Sequence, residues 1–104
     1  MPLVFAVHEF ELKVRESAEA FEQLIAANGL PSVSGYTITI VKGNRGERAG
    51  KYALIHEFDS LEARDRCWPS GSEQPADVRA MIDEIHRLTA ALTPIVNTDY
   101  IALV

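Results

Sequence analysis

Apolar and polar residues alternate along residues 3–14. Val4, Ala6, His8, Phe10 and Leu12 share one side; Leu3, Phe5 and Val7 share the other, which turns polar at Glu9, Glu11 and Lys13. A period of two, rich in β-branched and aromatic side chains, predicts a strand. The period then becomes helical. Ser17 stands where a hydroxyl can accept from the free amides of a first turn, Phe21, Leu24, Ile25 and Asn28 fall on one stripe, and Gly29, Leu30 and Pro31 form a stop. Residues 36–42 alternate again, as do residues 51–58, and the glycine-punctuated residues 43–50 join them as a long hairpin loop. Asp59 or Ser60 is expected to cap a short helix through about Cys67, which Pro69 to Ser72 break. Val78, Met81, Ile82, Ile85, Leu88 and Leu92 make the cleanest helical stripe, with Pro75 in its first turn and Pro94 at its end. Residues 97–104 are the expected last strand.

The resulting order, βαββαβ, is that of the split βαβ or ferredoxin-like arrangement: an α+β domain with an antiparallel four-stranded sheet. No linker or low-complexity segment divides residues 1–104, so a single domain is expected. Two stretches echo each other: His8-Glu9-Phe10 and His56-Glu57-Phe58 each follow two apolar residues and precede an acid. In this arrangement they lie on the two central strands. Both faces of those strands carry apolar residues: Val4, Ala6, Phe10, Leu12, Tyr52, Leu54 and Phe58 on one, Leu3, Phe5, Val7, Ala53, Ile55, Ile101 and Leu103 on the other. Helices cover only one face, and soluble monomers avoid large bare apolar patches. The expected cover is the same face of a second copy, giving a C2 homodimer packed sheet to sheet.

Composition narrows the function classes. Hydrophobic residues at 47% and charged residues at 24% describe a globular chain rather than a disordered one. A net charge of −5 repels phosphate backbones, so no nucleic-acid partner is expected. The one cysteine, Cys67, cannot form an internal disulfide, and nothing has zinc-site spacing. No apolar run approaches the ~20 residues of a membrane span, and the first residues read as a strand rather than a signal peptide. The expectations are a cytoplasmic protein, no membrane, no metal and no cofactor.

Two stretches, Lys42-Gly43-x-Arg45-Gly46-x-Arg48-x-Gly50-x-Tyr52 and Phe58-x-Ser60-x-Glu62-Ala63-Arg64-Asp65, are similar to those of small uncharacterised bacterial proteins of the dimeric α/β-barrel superfamily. The resemblance spans essentially the whole chain and implies two ferredoxin-like sheets packed into a dimeric α/β barrel. Known members include cofactor-free monooxygenases, muconolactone-type isomerases, polyketide cyclases, haem-degrading enzymes and stress-responsive proteins. Such enzymes often place a His, Tyr or Trp between sheet and helices. Fold alone selects no activity, and no subfamily motif transfers residue by residue.

His8 and His56 are the candidate catalytic residues, since both fall in phase with the helix-covered face and neutral imidazole acts as a base near pH 7. The alternative is a pair of core or rim histidines satisfied by backbone or water. A metal held by the pair lacks further ligands on that face, because Glu9 and Glu57 alternate away. Tyr52, Trp68 and Tyr100, with Tyr36, are candidates to line a pocket for a planar apolar ligand; ordinary packing is the alternative. Arg45 and Arg48, in a loop with Lys42 and Lys51, are candidates to hold a carboxylate or phosphate, or simply form a solvated hairpin. His86 is expected at the surface. The leading function is a pocket protein for a small apolar or aromatic metabolite, in which a cofactor-independent enzyme of monooxygenase, isomerase or cyclase type is one form. The alternative is a non-enzymatic stress-responsive module that senses a ligand or binds a protein.

Overall fold

The first strand, β1 (Val4–Leu12), stops two residues before the alternation does. A turn in which the Glu16 amide donates to the Lys13 carbonyl at 3.1 Å, with Arg15 at φ 73°, takes the chain out of the sheet. Helix α1 (Ala18–Asn28) begins where Ser17 Oγ accepts from the Ala20 amide at 3.2 Å. It ends at Gly29, whose φ of 68° suits a residue without Cβ. Strands β2 (Tyr36–Lys42) and β3 (Tyr52–Phe58) form the expected hairpin. Ser60 rather than Asp59 caps α2 (Leu61–Cys67), accepting from the Ala63 amide at 3.1 Å. Helix α3 (Ala76–Leu88) and strand β4 (Leu92–Ile101) complete the fold. The computed structural model describes residues 3–103; the expected start at Met1 and Pro2 and the expected strand end at Val104 lie outside the described residues.

The four strands lie in the order β2-β3-β1-β4, every neighbouring pair antiparallel. The registers pair Val4 with Phe58, Ala6 with His56 and His8 with Leu54, so these side chains share one face. Onto that face α3 brings Val78, Met81, Ile82 and Ile85, and α2 brings Cys67, packing with Val4, Tyr36, Ile38, Leu54 and Phe58. A second cluster joins Phe21 of α1 to Tyr52 and Leu92. The opposite face carries Phe5, Val7, Ala53 and Ile55, which enter neither cluster. This is the ferredoxin-like fold.

The last third departs from the sequence pattern. Leu92 continues the helical stripe but opens β4, because α3 ends at Thr89, which donates both its amide and its hydroxyl to the Ile85 carbonyl. Pro94 sits inside β4, next to a register shift at Glu9/Phe10; β4 is an edge strand, where a missing donor is tolerated. The phase of β4 also differs from expectation. Tyr100 pairs with Phe5 on the open face, and Ile101 pairs with Val4 on the helix side. Apolar residues occupy both phases of this strand, and Ile95, Val96, Tyr100 and Ile101 are all exposed, so alternation alone does not choose between them. Leu103 lies beyond the strand.

The β2–β3 loop is tied down rather than free. Arg48 Nη2 donates to the carbonyls of Phe10 and Tyr52, both at 3.0 Å, and its Nε lies 3.1 Å from Glu9 Oε1. Lys51 pairs with Glu11 at 2.7 Å. Arg48 is therefore a clasp at the end of the β1–β3 ladder, not an anion receptor; Arg45 is exposed. A Cβ on Gly43 would lie 1.8 Å from the Arg48 carbonyl oxygen. Gly43→Ala is expected to cost roughly 1–3 kcal/mol in urea unfolding, as backbone is forced apart, whereas Lys42→Ala, which removes an exposed ion pair to Glu22 and a cation–π approach to the Tyr52 ring at 5.8 Å, is expected to cost under about 1 kcal/mol.

Candidate functional site

A cleft opens between the sheet and helices α2 and α3. One part, of about 270 Å³, is walled by Val4, Ala6 and Phe58 from the central strands, Arg64 of α2, Trp68 just after it, and Asn97 and Asp99 of β4. It runs into a second part of about 410 Å³ bounded by Phe10, Leu54, Ile82 and Ile85, with Lys13 and His86 at its rim. His8, His56, Trp68 and Asn97 line both parts and so stand where they join.

Register explains the meeting of the histidines. His8 on β1 and His56 on β3 are diagonal neighbours on one face, their ring centroids 4.3 Å apart and tilted by 40°. His56 is buried, and Tyr36 of β2 reaches its Nδ1 at 2.5 Å. Trp68 Nε1 donates to the Tyr36 hydroxyl oxygen at 3.4 Å. This chain has a direction. The indole N–H can only donate, so the Tyr36 oxygen accepts from it, and the single phenolic proton goes to His56 Nδ1. Burial pushes the Tyr36 hydroxyl up to about 12, so that proton stays in place at neutral pH. His56 Nδ1 is then an acceptor and Nε2 carries the ring proton. That Nε2–H is buried and has no hydrogen-bond partner.

Both rings are held neutral. Burial, reinforced by the repulsion that protonated His8 would exert, lowers His56 from 6.5 to about 3. Burial also lowers His8, against a smaller opposing pull from Asp99. The site thus offers an unpaired N–H donor from His56 beside a half-exposed neutral imidazole from His8. Arg64 lies 3.5 Å from Asp99 and 2.9 Å from Asp65, so its positive charge is more than compensated at that end of the cleft. Among the described residues, no group of three or more His, Cys, Asp or Glu side chains is placed to hold a metal ion. No helix among the described residues is long and apolar enough to cross a membrane.

The structure brings His8, His56 and Trp68 together. It separates Tyr52, whose ring packs edge-on to Phe21 at 5.0 Å and whose hydroxyl donates to Glu22 at 2.6 Å, and it puts Tyr100 on the opposite face of the sheet. Burial and the Glu22 hydrogen bond push the Tyr52 hydroxyl up to about 12. Arg64, Asn97, Asp99 and Lys13 were not read from the sequence as site residues; His86 is exposed, as expected, and stands at the rim of the cleft. For His86 a signal was present: it follows Ile82 by four residues and so lies on the same side of α3.

No family model matches the sequence, and no curated protein matches it. Among solved structures, the chain is similar to a dimeric protein of unknown function and ferredoxin-like fold from Bacteroides fragilis NCTC 9343, at 15% identity and a TM-score of 0.54 over 96% of this chain and 94% of that one. The likeness is one of fold.

The neutral His56 gives a pH dependence of definite sign. Below pH 6.5 the unfolded chain protonates this histidine, whereas the folded chain resists down to about 3. Folding stability therefore falls as the pH drops through that window, by up to about 1.4 kcal/mol per pH unit. Urea unfolding between pH 7 and 5 is expected to show this loss and a shallower one in His56→Gln. An equal slope in the variant would contradict the neutral assignment.

Proposed function

We propose that this chain forms a homodimer through its open sheet face and uses the cleft to bind a small, largely apolar molecule, on which the histidine pair moves a proton. The single observation that carries the reading is the His56 Nε2–H, buried and unpaired, beside the neutral His8 ring at the junction of an apolar cleft. A buried donor without a partner costs about 1–3 kcal/mol. Such a cost is offset when a ligand oxygen accepts the hydrogen bond. The cleft volume falls in the range of small-molecule sites.

The chemistry follows from these two groups. A ligand carbonyl oxygen accepts from His56 Nε2–H. His8 takes a proton from the adjacent carbon, and the C–H electron pair passes into an enolate whose oxygen His56 stabilises. Where the ligand carries a β,γ carbon–carbon double bond, the enolate is a dienolate, and return of that proton from His8 to its γ carbon moves the double bond into conjugation with the re-formed carbonyl, an isomerisation with no net change in oxidation state. Without that double bond the proton returns to the same carbon and the step is exchange alone. General-base catalysis of this kind contributes about 10²–10⁴-fold. The probe is 4-phenyl-2-butanone in deuterated buffer, with exchange at its acidic carbons followed by NMR. Wild type is expected to accelerate exchange and His8→Ala to lose at least about 100-fold, with the ketone still bound. Exchange no faster than in buffer, or unchanged by His8→Ala, would reject the catalytic reading; retained binding would then favour a ligand-sensing module.

The dimer rests on a second observation. Phe5, Val7, Ala53 and Ile55 are only half-buried, and Leu3, Val96 and Tyr100 are 38%, 45% and 53% exposed on a face no helix covers. Burying several of these residues contributes about 1.5–3 kcal/mol each. The ion pairs Glu9–Arg48 and Glu11–Lys51 stand at one end of that face, suited to a wet rim. The similar Bacteroides protein is described as dimeric. Light scattering at micromolar concentration is expected to give twice the mass of one chain, and Val7→Lys, which puts a charge into the apolar open face, is expected to give a folded monomer. A wild-type monomer would refute the assembly.

A further inference from the structure

The two ends of the cleft differ in charge. At one end Arg64 is more than compensated by Asp99 and Asp65. At the other stand Lys13 and His86, and no acidic side chain lines that part among the described residues. Lys13 is exposed, and among the described residues no ion pair involves its ammonium group; its backbone amide is occupied by the Ala91 carbonyl at 2.8 Å, which fixes where the side chain starts. Between this basic rim and the histidine pair, the wall is aliphatic and aromatic: Phe10, Leu54, Ile82, Ile85 and Leu92. We infer that the ligand is an amphipathic carboxylic acid, its carboxylate at Lys13 and the edge of His86, its apolar body along Ile82 and Ile85, and its inner end at His8 and His56.

Charge complementarity sets this orientation. A carboxylate at the Arg64 end would have to displace Asp99 or Asp65 from a guanidinium already neutralised. At the Lys13 end it meets an uncompensated cation. Lys13 is a specificity-determining residue on this view, and it replaces the β2–β3 loop as the place where an anion is read, since Arg48 of that loop is committed to the Phe10 and Tyr52 carbonyls. The inference rests on the cleft being a ligand site, and the test separates the two.

Trp68 is the only tryptophan and forms part of the cleft wall, so its fluorescence reports occupancy directly. The probes are 4-phenylbutyrate and 4-phenylbutanol, which differ in charge at one end. Wild type is expected to bind the acid about five- to tenfold more tightly than the alcohol, the range of a charge-assisted contact at a partly exposed site. Lys13→Met is expected to remove that preference while leaving the affinity for the alcohol unchanged. A preference that survives Lys13→Met, or that is lost instead in Arg64→Met, would overturn the inference while leaving the cleft a ligand site. Failure of both probes to alter Trp68 emission, with no shift of the His8 and His56 ring protons by NMR, would overturn the inference and the ligand site together.

Discussion

The pairing of β1 with β3 is the constraint from which the other features follow. Side chains alternate along a strand, so one choice of register decides which residues meet and which face they share. Here it pairs Ala6 with His56 and His8 with Leu54. The two imidazoles become diagonal neighbours under the helices, while Glu9 and Glu57 are sent to the other side. A slip by one residue would reverse this, exposing Phe58 and Leu54 and burying two carboxylates. The hydrophobic cost of that exchange is what fixes the histidine geometry; no dedicated contact between the two rings is needed.

Much of the architecture was readable along the chain, and the reasons are local. Ser17 and Gly29 carry their own capping chemistry, and β2 and β3 alternate without ambiguity. The echo of His-Glu-Phe fell on the two strands that the topology makes neighbours. What could not be read depends on partners distant in sequence. Apolar residues fill both phases of β4, and only its pairing with β1 turns Asn97 and Asp99 toward the cleft and Tyr100 away. Tyr52 looked like a pocket residue because it is aromatic and in phase with His56, but α1 reaches it first through Phe21 and Glu22. Arg48 looked like an anion ligand because its loop is basic and glycine-rich; two main-chain carbonyls and Glu9 claim it.

The hydrogen-bond chain from Trp68 through Tyr36 to His56 shows how proton positions can be fixed without charge. Each group has a limited inventory of donors and acceptors, and the one at the start can only give. The tautomer of His56 is set at the far end by an indole more than ten residues along the chain, beyond α2. Packing supplies the rest: burial keeps both the phenol and the imidazole uncharged, so the ordering persists across the neutral pH range. The expense of an unsatisfied N–H is carried by the surrounding core of Phe58, Leu54 and the α3 side chains, a division of labour common where proteins retain a local conflict.

Among the described residues, strand β4 is bonded to β1 alone, and no other strand shares its outer border. Such a border invites foreign strands to zip on, particularly where side chains are greasy, and this one displays Ile95, Val96, Tyr100 and Ile101. Pro94 withdraws one donor near its beginning and spoils continuous pairing there. A proline within such a segment lowers its tendency toward fibrous stacking, which its composition would otherwise favour.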